Sequence, residues 1–131
     1  MGKTIAEKIL SRTSGQNVRA GDFVNAKVDL DYLLKETLVD IHRMVVQAGL
    51  PDGLPKLANP EKIAIMLGDH QGCHASPTQA SAYKASRELA TKYGIKKLYD
   101  INTGIAHVAI PEEGLARPGM RLFGCASKLK R

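Results

Sequence analysis

A three-layer α/β/α domain with a mostly parallel sheet is what this sequence predicts, on three observations. Helix and strand signals alternate along most of the chain, an order that brings strands together through crossovers and covers the sheet with helices. The apolar run Ile63–Leu67 is continuous rather than alternating, as in a strand buried on both faces. Two helix starts carry reciprocal caps, Thr4 with Glu7 and Ser76 with Gln79. At 131 residues and 44% hydrophobic content, the chain has the size of one domain spanning residues 1–131, with enough apolar side chains for a core.

The elements follow in order. Thr4 caps a helix whose Ile5, Ile9 and Leu10 share a face, and Gly15 suits the reversal after it. Val24, Ala26, Val28 and Leu30 alternate, which predicts a strand over Val24–Leu30. From Glu36 to Gln47 the period turns helical, with Leu38, Ile41, Val45 and Val46 on one side and Gly49 and Pro51 as the stop. Pro51 to Pro60 is a loop. The Ile63–Leu67 strand leads through Gly68–Ala75 to a helix opened by Ser76 and Pro77, striped by Ala82, Ala85, Leu89 and Tyr93 and ended by Gly94. Lys97–Ile101, Ile105–Ile110 and Met120–Gly124 read as three further strands.

Charge narrows the partners. Nineteen basic against thirteen acidic residues leave +6, a field that favours anions. Small carboxylates and phosphates respond to such a field as readily as nucleic acid does. Outside Lys128, Lys130 and Arg131 the basic residues are scattered. With no aromatic-rich sheet motif or groove-reading helix, a nucleic-acid partner is not expected. No apolar run approaches the ~20 residues of a membrane span, and Met1–Glu7 lacks the apolar stretch of a secretion signal. Cys73 and Cys125 make no disulfide framework, so the expected compartment is the cytoplasm.

The stretch Gly68-Asp69-His70-Gln71-Gly72-Cys73-His74 carries the most chemistry. It lies past the carboxyl end of the most buried strand and just before a capped helix, where open α/β sheets bind ligands and a helix start welcomes an anion. Asp69 and His70 can orient one another or a shared substrate, with an imidazole that titrates near neutrality. They are equally well explained as loop residues bonding to the helix start. His70, Cys73 and His74, with His107 as a fourth ligand, match no standard structural zinc spacing, and no metal site is expected. Cys73 beside His74 is a thiol near a helix start, without the surroundings of a thiol-enzyme signature. His107, flanked by apolar residues on a predicted strand, reads from spacing alone as a core residue. His42 reads as a surface position on its helix.

Four segments in order carry a family resemblance: Thr4-Ile5-Ala6-Glu7-Lys8-Ile9-Leu10, Ala26-Lys27-Val28-Asp29-Leu30, Asp69-His70, and Gly104-Ile105-Ala106-His107 running into Pro111-Glu112-Glu113-Gly114-Leu115-Ala116-Arg117-Pro118-Gly119. Together they resemble the amino-terminal part of the aconitase superfamily, most closely the large subunit of 3-isopropylmalate dehydratase and its homoaconitase-like relatives, over about Thr4 to Gly124. The resemblance implies a partial aconitase-type domain of a hydro-lyase, which moves water across a carbon–carbon double bond of a hydroxy di- or tricarboxylic acid, as in leucine biosynthesis. It implies a [4Fe–4S] cluster as Lewis acid and a serine base from a small subunit or a carboxy-terminal domain. It also implies that Asp69 and His70 are the acid–histidine pair beside the leaving hydroxyl and that His107 is the second active-site histidine.

The departures are specific. Where the family places an Asn-Asp or His-Asp pair before a Thr, this chain has Leu34 and Lys35, and only Thr37 fits as a substrate-binding residue. Where the family reads Asp-Ser-His-Thr after the Arg-Pro-Gly strand, this chain reads Ala126-Ser127-Lys128-Leu129, and Ser127 alone matches. A frameshift or a fragment with a changed tail would both produce that ending. The family's cluster takes three cysteine thiolates placed much later in the full-length chain, so this chain, with Cys73 and Cys125 only, is expected to hold no cluster by itself. The expectation is a truncated hydro-lyase large subunit, inactive alone, whose partners are a carboxylic-acid substrate and a small subunit. The alternative is a non-catalytic basic α/β module binding an anionic metabolite or a protein.

Overall fold

The computed structural model describes residues 2–68 and 76–125. Four helices, α1 (Ile5–Ser14), α2 (Thr37–Gln47), α3 (Pro77–Lys92) and α4 (Ala106–Glu112), alternate with four strands, β1 (Leu30–Leu34), β2 (Ile63–Met66), β3 (Lys97–Tyr99) and β4 (Leu122–Cys125). The strands form one all-parallel sheet in the order β3-β2-β1-β4. The three-layer α/β/α architecture expected from the sequence is the one observed.

Each strand divides its side chains between two cores, because successive residues point to opposite faces. Leu33, Ile63, Ile65, Leu67 and Leu98 meet Leu38 and Ile41 of α2 and Tyr83, Leu89 and Ala90 of α3 on one face. Tyr32, Leu34, Met66, Tyr99 and Leu122 meet Ala106, Ala109 and Ile110 of α4 on the other. The topology dictates this division. The chain steps from β1 to β2 to β3 in one direction and then returns past β1 to β4. With right-handed crossovers, a reversal of direction moves the connecting helix to the opposite face.

Both capping boxes form. The Glu7 N–H donates to Thr4 Oγ1 (3.2 Å) while the Thr4 N–H donates to the Glu7 carboxylate (2.8 Å), and Ser76 and Gln79 exchange the same pair at 3.2 Å each. Gly15 stands at φ 71° where α1 ends, a left-handed position that suits glycine.

Two predicted strands are corrected. Residues 22–28 form no strand, and β1 begins only at Leu30, because its neighbours β2 and β4 offer partners for Leu30–Leu34 alone. Alternation without a ladder partner does not make a strand. Ile105–Ile110 is helix α4 rather than a strand, with buried Ala106, Ala109 and Ile110 at helical spacing. Parallel strands β3 and β4 need a crossover between them, and that connection is helical. Smaller shifts move the strands near Lys97, Met120 and Ile63 by one or two residues. The buried stripe of α3 centres on Tyr83, Ser86 and Ala90, one position from the predicted one. Helix α1 buries none of its residues; Ile5 and Ile9 are exposed despite its amphipathic pattern.

Candidate functional site

All four strands run the same way, so their carboxyl ends share one rim of the sheet. Chain direction across the sheet reverses between β1 and β4, and the crevice outside such a switch point is where α/β sheets bind ligands. Of the residues that the sequence nominated, Thr37 and His107 stand on this rim, at the starts of α2 and α4. Thr37 follows β1, Asp69 and His70 follow β2, His107 follows β3 and Ser127 follows β4. Asp69, His70, Cys73, His74 and Ser127 lie outside the described residues.

The frame around the Asp69–His70 segment is described. Gly68 is buried at the exit of β2, where a Cβ would stand 3.1 Å from the Asp100 carbonyl oxygen, so the chain leaves β2 pressed against the β3–α4 turn. That turn is clamped by Arg87 of α3, which donates twice to the Asp100 carboxylate at 2.6 and 2.7 Å. The Arg87 guanidinium, followed by the Ile101 N–H, holds the Asp100 carboxyl below its usual pKa against the opposing effect of burial. Thr103 Oγ1 also donates to the Asp100 carbonyl (2.8 Å). Past the segment in the chain, the start of α3 satisfies donors of its own: the Ser76 N–H donates to Gln79, the Gln79 N–H to Ser76, and Pro77 has none.

Thr37 is buried at the start of α2, and its hydroxyl donates to the Leu34 carbonyl at 2.6 Å. It shapes the turn between β1 and α2. In the same turn Lys35 is half-buried and adopts φ 54°, a left-handed conformation that costs a residue with a side chain roughly 1–2 kcal/mol. Its backbone N–H donates to the Met66 carbonyl (2.9 Å), binding the end of β1 to the end of β2. Among the described residues no carboxylate pairs with its ammonium. The rim therefore carries a cation where the resemblance led one to expect an acid.

His107 is not a core strand residue. It sits exposed in the first turn of α4, its imidazole edge-on to the Tyr32 ring of β1, with centroids 6.4 Å apart and planes at 79°. Such a T-shaped pair is worth about 0.5–1.5 kcal/mol, enough to bias a side-chain rotamer. His42, expected on the surface, is half-buried at the opposite end of the domain with Nδ1 2.9 Å from the Tyr93 hydroxyl.

Sequence reasoning passed over Tyr32 and Gly124. The two residues are register partners on β1 and β4, and a Cβ at Gly124 would overlap Cζ and Oη of Tyr32. A glycine inside a strand is the available signal, since it marks a place where another group comes close.

A [4Fe–4S] cluster with one open iron needs three thiolates, and the chain has two cysteines, one of them in β4 and the other in the 69–75 segment. Among the described residues no group of three or more His, Cys, Asp or Glu side chains is placed to hold a metal ion. The residues of this chain do not fit that cluster.

The parallel sheet and its flanking helices define an α/β domain, and comparison with known proteins supplies its relatives. No family model matches the chain. Over 128 residues it is 38% identical to 3-isopropylmalate dehydratase large subunit 1 of Methanopyrus kandleri, an alignment covering 97% of the chain and 29% of the relative. It is 34% identical over 127 residues to the homoaconitase large subunit of Thermus thermophilus, and 37% identical over 128 residues to 3-isopropylmalate dehydratase large subunit 1 of Pyrococcus furiosus, again covering 29% of each relative. The chain is thus an α/β unit similar over nearly its whole length to these large subunits. It spans about three-tenths of the length of the relatives it matches. No described helix is long and apolar enough to cross a membrane.

Proposed function

We propose that this chain forms one wall of a hydro-lyase site for a hydroxy di- or tricarboxylic acid, of the kind its dehydratase relatives are named for. The observation that supports the reading is the shared rim: Thr37 and His107 stand at the carboxyl ends of the parallel strands, beside the switch point, and Asp69, His70 and Ser127 come next in the chain after β2 and β4. In this reading Asp69 orients the His70 imidazole, which donates to the departing hydroxyl oxygen, and His107 holds the substrate from the α4 side. Lys35 and the amino termini of α2 and α3 favour the substrate's carboxylates. Thr37 contributes by shaping the turn rather than through a solvent-facing hydroxyl, and Ser127 contributes a hydroxyl from beyond β4.

The Lewis acid and the proton-abstracting base belong to parts this chain does not supply, so the isolated chain performs no dehydration. The cluster-bearing remainder of a large subunit and a small subunit are the partners, and the setting is cytoplasmic leucine biosynthesis. The test is a titration of the isotope-labelled full chain with tricarballylate, a substrate-like tricarboxylate without the hydroxyl. Amide shifts centred on Lys35, Thr37 and His107 are expected, together with no hydration of 2-isopropylmaleate. Shifts confined to lysines at the amino ends of the strands, or turnover by the isolated chain, would overturn the reading.

A second reading has its own observation. Ile5, Ile9, Phe23 and Phe123 are exposed, and β4 is an edge strand of the sheet. A non-catalytic module that associates through this apolar surface would show concentration-dependent self-association or protein capture, with no response to tricarballylate.

A further inference from the structure

We propose that Tyr32, admitted by the missing side chain of Gly124, is the positioning residue for His107. The inference rests on His107 being a site residue only for its functional meaning; the geometry stands without it. Tyr32 and Gly124 face each other across the β1–β4 pair, the pair that bounds the switch point. Any side chain at Gly124 would occupy the volume of the phenol ring, so glycine is what lets that ring lie over β4. The ring then presents itself to the first turn of α4, where the His107 imidazole meets it edge-on at 6.4 Å.

Three further facts make this contact the determinant of the imidazole's direction. His107 is exposed, so no surrounding core confines it. Its neighbours Ala106, Ala109 and Ile110 are buried against the sheet, so the backbone that carries it is fixed while its side chain is not. Among the described residues its ring has no hydrogen bond or ion pair, and Tyr32 is its one recorded ring partner. A contact of this kind, at about 1 kcal/mol, favours one rotamer by about five to one. That ratio suits an imidazole that must present one edge to a ligand at the switch point while staying accessible.

The experiment reads the χ1 rotamer of His107 through three-bond couplings to its Cγ in the labelled full chain. Wild-type protein and Tyr32→Phe, which keeps the ring, should show one dominant rotamer. Tyr32→Leu removes the ring, and Gly124→Ala displaces it while leaving Tyr32 in place; both should show averaged couplings with the amide spectrum of the remaining sheet preserved. Averaged couplings already in the wild type overturn the proposal, as does a single rotamer that survives Tyr32→Leu or Gly124→Ala. The wild-type measurement decides the matter even where a variant does not fold. Tricarballylate is added last: failure to perturb His107 counts against the hydro-lyase reading and leaves the couplings, and this proposal, as they were.

Discussion

The two rims of the sheet are built from opposite principles. At the amino ends of the strands, side chains tie neighbouring segments to one another. Arg121 donates from Nε and a terminal guanidinium nitrogen to both oxygens of Asp29 at 2.8 Å, and its backbone N–H adds a third bond at 2.9 Å, joining the approach to β4 with the approach to β1. Lys97 donates to the Glu61 carbonyl, Lys92 to the Asp52 carbonyl, and Tyr93 links His42 to the Leu54 N–H. At the carboxyl ends, the backbone carries the strain and several polar groups are left available. Lys35 and Asn102 both have positive φ, and the Lys35 ammonium and the His107 imidazole have no hydrogen-bonding or ionic partner among the described residues. The amino-end rim spends its polar groups on holding the fold, whereas the carboxyl-end rim, beyond the Arg87–Asp100 clamp and the Thr37 and Thr103 hydroxyls, leaves Lys35 and His107 without such partners among the described residues and holds the strained residues.

The largest test of this contrast is Gly53→Ala. Gly53 has φ 79°, and a Cβ there would overlap the His42 imidazole and the Tyr93 hydroxyl. Strain and displacement together should cost about 2–4 kcal/mol, read as a lowered urea midpoint. A loss below about 1 kcal/mol would show that the amino-end rim is not the structural one.

Acid should act on the Asp29 tether next. The side-chain bonds from Arg121, and then its backbone N–H, lower the Asp29 pKa to about 2. A carboxylate depressed in the folded state contributes stability that is complete above its unfolded value near 4 and is lost as pH falls toward 2. Urea midpoints measured from pH 5 to pH 2 should therefore fall less steeply for Asp29→Asn than for the wild type, from a lower starting point. Parallel curves would remove Asp29 from the account.

At the other rim the expected signs differ. Lys35→Gly relieves the left-handed backbone and should raise stability by roughly 0.5–1 kcal/mol, while weakening the response to tricarballylate. A variant that is less stable, or that binds as well as the wild type, would erase the distinction between the rims. His107→Gln, which loses only the exposed ring contact with Tyr32, should lower stability by about 1 kcal/mol or less.

Much of this organisation was legible in the sequence where signals are local. The Thr4 and Ser76 caps, the apolar run at Ile63 and the helical period from Leu38 each depend on residues a turn or a strand apart. The strand read at Val24–Leu30 failed because alternation describes only one strand, whereas pairing needs neighbours distant in the chain. His107 was drawn onto a strand because Ala106, Ala109 and Ile110 are few and small, leaving the helical period weak; its value as a site residue came from the resemblance and not from its spacing. Asp69 and His70, which the sequence placed just after the buried strand, lie outside the described residues.

By itself, then, the order of residues determined the helix caps, the buried run at Ile63 and the likeness to dehydratase large subunits, because these are written in short-range patterns and shared motifs. Only the tertiary structure decided that the sheet reverses at β1 and β4, that Lys35 sits in a left-handed turn, and that Tyr32 lies over Gly124 toward His107. Those facts depend on which strands become neighbours, a choice made by long-range packing that no local window of sequence contains.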